Sequence, residues 1–473
     1  MGPRVVVVGA GIAGLAVTYE ILERAERLAA PLDLRCLEAS GRSGGNIRTS
    51  QEQGFLCEWG ATGFPDDAPA TVTLVRRLGL EGRLVQARAE AARRFVFRAG
   101  KLRELPLGPW KLVSSQVLSP LGTLRLLCEP LIPRRRSPES ETVHGFAARR
   151  IGPRAADVLV DAMVSGVYAG DARALELETA FPSLHEMERQ HGSLFRALLA
   201  RRKLARAGGP PLGGPAGPAG RLTSFADGMQ ELVQAVARPL GPRLVLDTPV
   251  LRLSDMGSRG FRVHVREGAP LDVDAVVLAC PAWQAGPIVR AMDGELARAL
   301  DHIPSAGVAV VHLGYRRDAI GPHPDGFGFL VPRGQGPRIL GALWPASIFA
   351  GRAPEDSLLL TVMAGGARDP AFAALTDAQM LDVVRADLRA ISGIRADPSH
   401  VRIVRHARGI PQYTIGHRRR LALIDRRLAG LPGLWLAGNS LRGVSINSCV
   451  ADAPVVAEAV LEFLAARSTA TTP

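Results

Sequence analysis

The chain has 473 residues, 47% of them hydrophobic and 22% charged, which is room for two or three domains and excludes a disordered protein. Its net charge is +13, and because Lys101, Lys111 and Lys203 are the only lysines, the excess is almost all arginine. Cys36, Cys57, Cys128, Cys280 and Cys449 are odd in number and never spaced C-x-x-C, which argues for a reducing compartment and against structural zinc.

The first stretch, Pro3 to Glu38, organises the rest. Val5 to Val8 form an uninterrupted β-branched run, the mark of a strand buried on both faces of a parallel sheet. Gly9, Gly11 and Gly14 follow as G-x-G-x-x-G, with Ala10, Ile12 and Ala13 between them. At a strand-to-helix turn, glycine lets the backbone approach a pyrophosphate at the positive end of the next helix. That helix runs to about Ala30 and Pro31 breaks it; a second strand, Leu32 to Leu37, ends in Glu38. An acid about 20 residues past the glycines accepts hydrogen bonds from a ribose hydroxyl and disfavours a 2′-phosphate. The ligand predicted is a dinucleotide other than NADP.

Ala39 to Thr49 is a glycine-rich polar loop, and Gly54 to Phe64 starts as a short strand and ends in small residues that let backbone lie against a flat ligand. Asp66 to Leu78 reads as a helix, and Arg93–Phe97 with Lys101–Leu105 as a hairpin around Ala99-Gly100. From Trp110 to about Arg206 the pattern is mainly helical, with basic clusters at Arg134–Arg136 and Leu198–Arg206. The second cluster alternates apolar and basic residues as an interfacial membrane helix would; a solvated helix end is the competing reading. Gly208 to Gly220 has too little to bury and is expected to be a mobile loop.

Strands follow at Arg243–Leu246, Thr248–Val250, Phe261–Val265 and Asp274–Ala279, the last a buried parallel strand that resumes the nucleotide domain. Val308–Leu313, Phe327–Val331, Ile339–Leu343 and Leu358–Met363 predict a separate sheet, crossed by a helix over Thr376–Ile391 and followed by a strand at Val401–His406. Leu434–Ala437 and Asn447–Ala466 close the first domain. The fold class is α/β with an α+β insert: a Rossmann-like nucleotide domain in three pieces, an inserted sheet domain, and a mainly helical, membrane-facing domain. The expected boundaries are 1–88, 221–285 and 413–473 for the nucleotide domain, 89–207 for the helical domain, 208–220 for the loop and 286–412 for the substrate domain. Such interruption favours FAD over NAD. No apolar run outside the first βα unit is long enough to span a membrane, and Met-Gly-Pro-Arg entering a core strand at once is expected to leave no signal peptide. Few aromatics and no binding motif argue against nucleic acid.

Several segments resemble one family. Arg42 to Gly45 with Thr49, then Gly54 to Gly60, are similar to the second and third signatures of the FAD-dependent amine oxidase and protoporphyrinogen oxidase superfamily. Leu436–Asn439 with Gly443-Val444 is similar to its C-terminal flavin-contacting signature. The finer likeness is to protoporphyrinogen oxidases, at Arg94-Phe95, Glu141–Phe146, Gly166–Asp171, Phe181–Leu184, Gly326–Pro332 and Ile410–His417. It covers essentially the whole chain. Ala61 stands where the family usually has proline, and Asn46 where many members have a larger residue.

The resemblance implies a non-covalent FAD enzyme that oxidises protoporphyrinogen IX in three two-electron steps. Hydride passes to the flavin and O2 reoxidises it, giving H2O2. A coproporphyrinogen III oxidase of the same fold is the near alternative. A flavin amine oxidase is the farther one, disfavoured because no lysine follows Lys203 and no aromatic lies in Leu441–Asn447. Carried over by motif, Arg94 binds a propionate, with Arg93 as fallback. Phe329, Leu343 and Met363 sandwich the macrocycle, ordinary sheet core being the competing reading for each. Gly166 and Gly170 flank a substrate-side turn. The flavin falls to Gly9–Gly14, Glu38, Ala39, Arg42, Gly45, Asn46, Gly60, Ala61, Thr62, Gly63, Val250, Gly438, Val444, Ser445 and Ile446. Tyr413 either packs near the cofactor or anchors a turn. No catalytic side chain and no metal ligand set is identified. The expected partners are the porphyrinogen, O2 and the anionic surface of a cytoplasmic membrane touched peripherally, and a homodimer is left open.

Overall fold

The computed structural model describes residues 2–105, 117–137, 139–206, 220–321 and 325–471. The expected loop before Gly220, and the part of the helical stretch between Trp110 and Gln116, lie outside the described residues.

Strand β1 (Arg4–Val8) is the centre of a five-stranded sheet. In order, the sheet runs Leu244–Val245, β2 (Asp33–Leu37), β1, Ala275–Leu278 and Leu434–Leu436, every pair parallel. Side chains alternate across a strand, so Val5 and Val7 enter one core while Val6 and Val8 enter the other. The first core is closed by helix α1 (Ile12–Arg27) together with helices Gln230–Ala237 and Ile446–Thr471. The second is closed by helices Ala282–Val289, Gly294–Asp301 and His417–Ala429 and by a small sheet of Val250–Asp255, Phe261–Val265 and Leu271–Val273. Both faces of the parallel sheet are thereby covered, which is why its strands read as unbroken apolar runs.

A seven-stranded sheet stands apart from the first. Its order is His400–Pro411, Ser305–Arg316, Ser357–Gly365, Ile339–Leu343, Gly328–Leu330, Arg94–Arg98, Lys101–Leu105. The hairpin Arg94–Leu105, which the sequence groups with the helical stretch, forms the edge of this sheet, pairing in parallel with Gly328–Leu330. On one face, Phe97, Val311, Leu313 and Val362 pack against Met380, Val384 and Leu388 of the helix Asp377–Ser392. The other face turns toward the loops that follow β2: His312 Nε2 donates to the Glu58 carbonyl at 3.1 Å and His406 Nε2 to that of Trp59 at 2.7 Å.

The stretch from Pro120 to Arg206 is helical, and a buried ion network holds it. Arg150 and Glu129, both fully buried, pair with each other, and Glu129 also accepts from Ser193 Oγ at 2.6 Å and the Leu194 amide at 2.9 Å. Those donors hold the Glu129 carboxyl below its ordinary value against the upward push of burial.

Candidate active site

The glycine turn after β1 is built to receive an anion. A Cβ on Gly14 would lie 1.8 Å from the Gly9 carbonyl oxygen, so this glycine lets α1 pack onto the strand. A Cβ on Gly11 would meet nothing within 4 Å: its glycine faces open space where a ligand can approach backbone. The N-terminus of α1 has no side-chain cap and no acidic residue in its first turn, which leaves its N–H groups free for phosphate. Glu38 sits beside the turn, accepting from the Ala10 amide at 2.7 Å and from the Ser40 amide and hydroxyl at 2.9 and 2.8 Å. It is half-buried and keeps lone pairs on both oxygens. The predicted ribose acceptor is thus also a clamp between β2 and the glycine turn.

Contacts join the remaining predicted cofactor residues into one band. Gly44 N donates to the Ala10 carbonyl at 2.7 Å, and a Cβ on Gly45 would touch Gly11 Cα at 3.2 Å. Arg42 curls over this loop, donating to the Gly45 carbonyl at 2.7 Å; burial and the nearby Arg48 push its guanidinium below its ordinary value. A Cβ on Gly60 would lie 3.1 Å from the Asn46 carbonyl, and Ala61 packs on the core that contains Ile446. Asn447 Nδ2 reaches the Pro65 carbonyl at 2.9 Å, tying the long C-terminal helix to the loop after Thr62 and Gly63. A Cβ on Gly438 would lie 3.8 Å from Ala13 Cβ. Ser445 caps the C-terminal helix, its Oγ accepting from the Ser448 amide at 3.0 Å. Val444 is half-buried, Ala39 is exposed, and Val250 follows Thr248, whose amide bonds the Glu38 carbonyl at 2.8 Å. Two helix N-termini and a run of small residues therefore converge at the carboxyl ends of the parallel strands, the place where open α/β sheets bind nucleotides. The residues fit FAD.

The register of the second sheet decides which side chains face this band. Arg94 pairs with Gly328, Gly328 with Leu343, Leu343 with Thr361 and Thr361 with His312, so all of these share the face of His312. Gly341 pairs with Met363 and Met363 with Val310 on the same face. Arg94 is reached by solvent, yet protein encloses it enough that burial pushes its guanidinium down. It stacks 4.9 Å from the Phe327 ring and has no acidic partner among the described residues. Arg93, the fallback, is exposed and spent on Glu104 at 3.0 Å. Leu343 is half-buried beside Phe327, Ile348 and Phe349, and Met363 beside Trp59, Val308 and Val310.

Two expectations are corrected. Phe329 is one residue out of phase with Gly328 and Leu330, so it points to the opposite face, 2% exposed and packed on Trp344 at 6.2 Å. It is sheet core. Gly170 is buried, and a Cβ there would lie 2.7 Å from Gln412 Oε1, so internal packing explains it without a ligand. Gly166 is exposed and abuts Leu330, at 3.2 Å from a Cβ.

The fold also assembles polar groups that sequence reasoning missed. Glu58 is 5% exposed and accepts from the Met229 amide at 2.7 Å and Thr49 Oγ1 at 2.8 Å; burial pushes its carboxyl up to about 7. Nearby Arg352, 2% exposed, gives its donors to Ser224 Oγ and the Phe225 and Ala226 carbonyls. Both line a small cavity with Thr62, Leu343, Pro345 and Thr361. His312 donates from Nε2 to the Glu58 carbonyl, so its Nδ1 accepts from Thr361 Oγ1 at 2.9 Å, and burial lowers it to about 4, keeping it neutral. Glu58 lies in the Gly54 to Gly60 segment singled out from the sequence, but its partners Met229, Arg352 and His312 come from segments far along the chain that no local signal links to it.

Known proteins agree with this geometry. The model of the family described as flavin containing amine oxidoreductase matches residues 12–461. The protoporphyrinogen oxidase of Homo sapiens is 35% identical over 98% of this chain and 99% of its own. The coproporphyrinogen III oxidase of Bacillus subtilis is 28% identical over 98% of each chain. A crystal structure from Exiguobacterium sp. superposes with a TM-score of 0.82 at 26% identity, covering 98% of this chain and 99% of that one. The glycine turn, the band of small residues and the match over nearly the full length lead to one assignment: the chain belongs to the flavin containing amine oxidoreductase family and is an oxidoreductase that carries FAD.

Proposed function

We propose that this protein oxidises protoporphyrinogen IX to protoporphyrin IX in haem biosynthesis. The observation that carries the reading is Arg94, a cation that solvent reaches but whose charge partial burial disfavours, with no acidic partner among the described residues, at one end of a sheet face that is otherwise mostly apolar. A macrocycle with propionates on one side and apolar substituents on the other complements that layout. Desolvating a carboxylate is costly unless it is paired, and a guanidinium fork pairs it in two hydrogen bonds. Leu343 and Met363, with Val308, Val310 and Trp59, supply the apolar wall. Bound FAD supplies two-electron redox chemistry with O2 as acceptor. Over the reaction six hydrogens leave the macrocycle as three hydrides and three protons, and three O2 become three H2O2. The chain's part is to orient the macrocycle through Arg94, to exclude water with the apolar wall, and to hold His312 neutral behind it.

The second reading is coproporphyrinogen III, the substrate named for the Bacillus subtilis relative. Its propionates lie on all four rings, so the additional pair needs further cations; among the described residues Arg48 and Arg402, stacked on Trp59 at 3.9 and 5.2 Å, border the apolar wall. Purified, FAD-loaded protein incubated with each porphyrinogen, with porphyrin fluorescence followed over time, tests both. Faster oxidation of protoporphyrinogen supports the first reading and faster oxidation of coproporphyrinogen the second; no fluorescence gain on either rejects porphyrinogen chemistry.

A poorly soluble substrate also gives a use to the helical region. Leu121, Leu124, Leu131, Leu199 and Leu204 project from adjoining helices with exposures from 59% to 79%, beside Arg134–Arg136 and Arg201–Lys203. No helix among the described residues is long and apolar enough to cross a membrane. This leucine-and-arginine surface fits peripheral docking on an anionic bilayer.

A further inference from the structure

Tyr413 is fully buried, yet its hydroxyl has two partners, both in the turn between strand Leu434–Leu436 and the C-terminal helix. Oη donates to the Asn439 carbonyl at 2.6 Å and accepts from the Gly443 amide at 2.7 Å. Burial raises the phenol above its ordinary value, so it stays protonated and able to donate. His417 stacks on the Tyr413 ring at 4.1 Å and 11°, and its Nε2 donates to the Leu441 carbonyl of the same turn at 3.1 Å. Burial lowers this imidazole to about 4, so it is neutral, with the proton on Nε2 fixed by a carbonyl that can only accept.

The other side of this strap is held by the helical region. Glu176, fully buried, accepts from the Gly416 and Arg418 amides at 3.2 and 2.8 Å, and its own amide donates to the Tyr413 carbonyl at 2.7 Å. The edge of Tyr168 meets the Tyr413 ring at 5.8 Å. Tyr413 and His417 therefore sit between an immobile carboxylate and the turn that leads directly into Val444, Ser445 and Ile446. That turn begins at Gly438, where a Cβ would lie 3.8 Å from Ala13 Cβ in the first turn of α1.

We propose that Tyr413 is a positioning residue for the flavin. Its hydroxyl sets the Gly443 peptide, and through it the aim of Val444–Ile446 and of the C-terminal helix N-terminus at the cofactor. His417 is its auxiliary. The inference concerns FAD alone and does not depend on which substrate is oxidised. Without the hydroxyl, the Asn439 carbonyl and Gly443 N–H lose their bond while the aromatic packing remains.

The test is titration of apo-protein with FAD, read by quenching of flavin fluorescence, together with the absorption spectrum of the bound flavin, for Tyr413→Phe and Tyr168→Phe. Tyr168 is the control: it is also buried and its hydroxyl also bonds a carbonyl, but that of Ala180, away from the turn, at 2.9 Å. Tyr413→Phe is expected to raise the Kd for FAD about tenfold, as the loss of one or two buried hydrogen bonds implies, and to shift the bound spectrum. Tyr168→Phe should lower Tm while leaving Kd and spectrum in place. His417→Phe, which keeps the stack and loses the Leu441 bond, should move Kd in the same direction by less, and it carries the test if Tyr413→Phe does not fold. Unchanged Kd and spectrum in Tyr413→Phe, or equal changes in the Tyr168 control, would overturn the proposal.

Discussion

Arg94→Ala isolates the contact on which the substrate reading turns. The wild-type guanidinium stacks on Phe327 and is unmatched by any acid among the described residues; solvent reaches the residue, yet partial burial already disfavours its charge. A propionate arriving there supplies the missing counter-ion. The net worth of a hydrogen bond to a charged group is about 1.5–3 kcal/mol, which converts to a loss of roughly 10- to 150-fold in kcat/KM. Because the contact exists in ground state and transition state alike, most of the loss should fall on KM and little on kcat. No ion pair is broken in the fold, so Tm should hold or rise slightly. Arg94→Lys, which keeps a charge but loses the fork and the ring contact, should recover only part of the affinity. The assay is steady-state porphyrin fluorescence across protoporphyrinogen concentrations, with Tm measured in parallel. An unchanged KM, or a fall in kcat alone, would refute the assignment of Arg94 to a carboxylate.

Gly11→Ala and Gly14→Ala should separate binding from folding. The first fills open space and is expected to give soluble protein that loses FAD, read as colourless preparations; the second drives a Cβ to 1.8 Å from Gly9 O and should abolish soluble expression. Glu58 is raised from its ordinary 4.5 to about 7. Between those values the native state holds a proton the unfolded chain has lost, so stability falls as pH rises, by roughly 3 kcal/mol in total. Glu58→Gln mimics the neutral acid and should flatten the Tm-versus-pH curve between pH 5 and 8, leaving Tm at the acid end unchanged; a curve as steep as the wild type's would refute this. Protein bound to anionic vesicles at low salt should be released as ionic strength rises, and Leu121→Ser with Leu131→Ser should weaken binding at low salt; no binding to anionic vesicles at low salt would reject the docking surface.

Much of the nucleotide unit was legible locally. The valine run, the glycine spacing, the helix and Glu38 lie within 38 consecutive residues, and steric rules for glycine act over one turn, so pattern alone locates the turn and its acid. The second sheet was legible as strands, because period-two alternation is a property of each segment. Which face of those strands meets the cofactor was not. Phe329 and Leu343 read alike as apolar strand residues, yet the pairing of Gly328 with Arg94 and Leu343 puts Phe329 in the far core. The hairpin's place at that sheet's edge, the elevation of Glu58 beside Arg352, and the grip of Tyr413 on Gly443 likewise depend on partners up to hundreds of residues away. Alternation says which side chains share a side. Only strand register, the packing of distant segments and the desolvation they impose say what that side faces and which of its groups keep their charge.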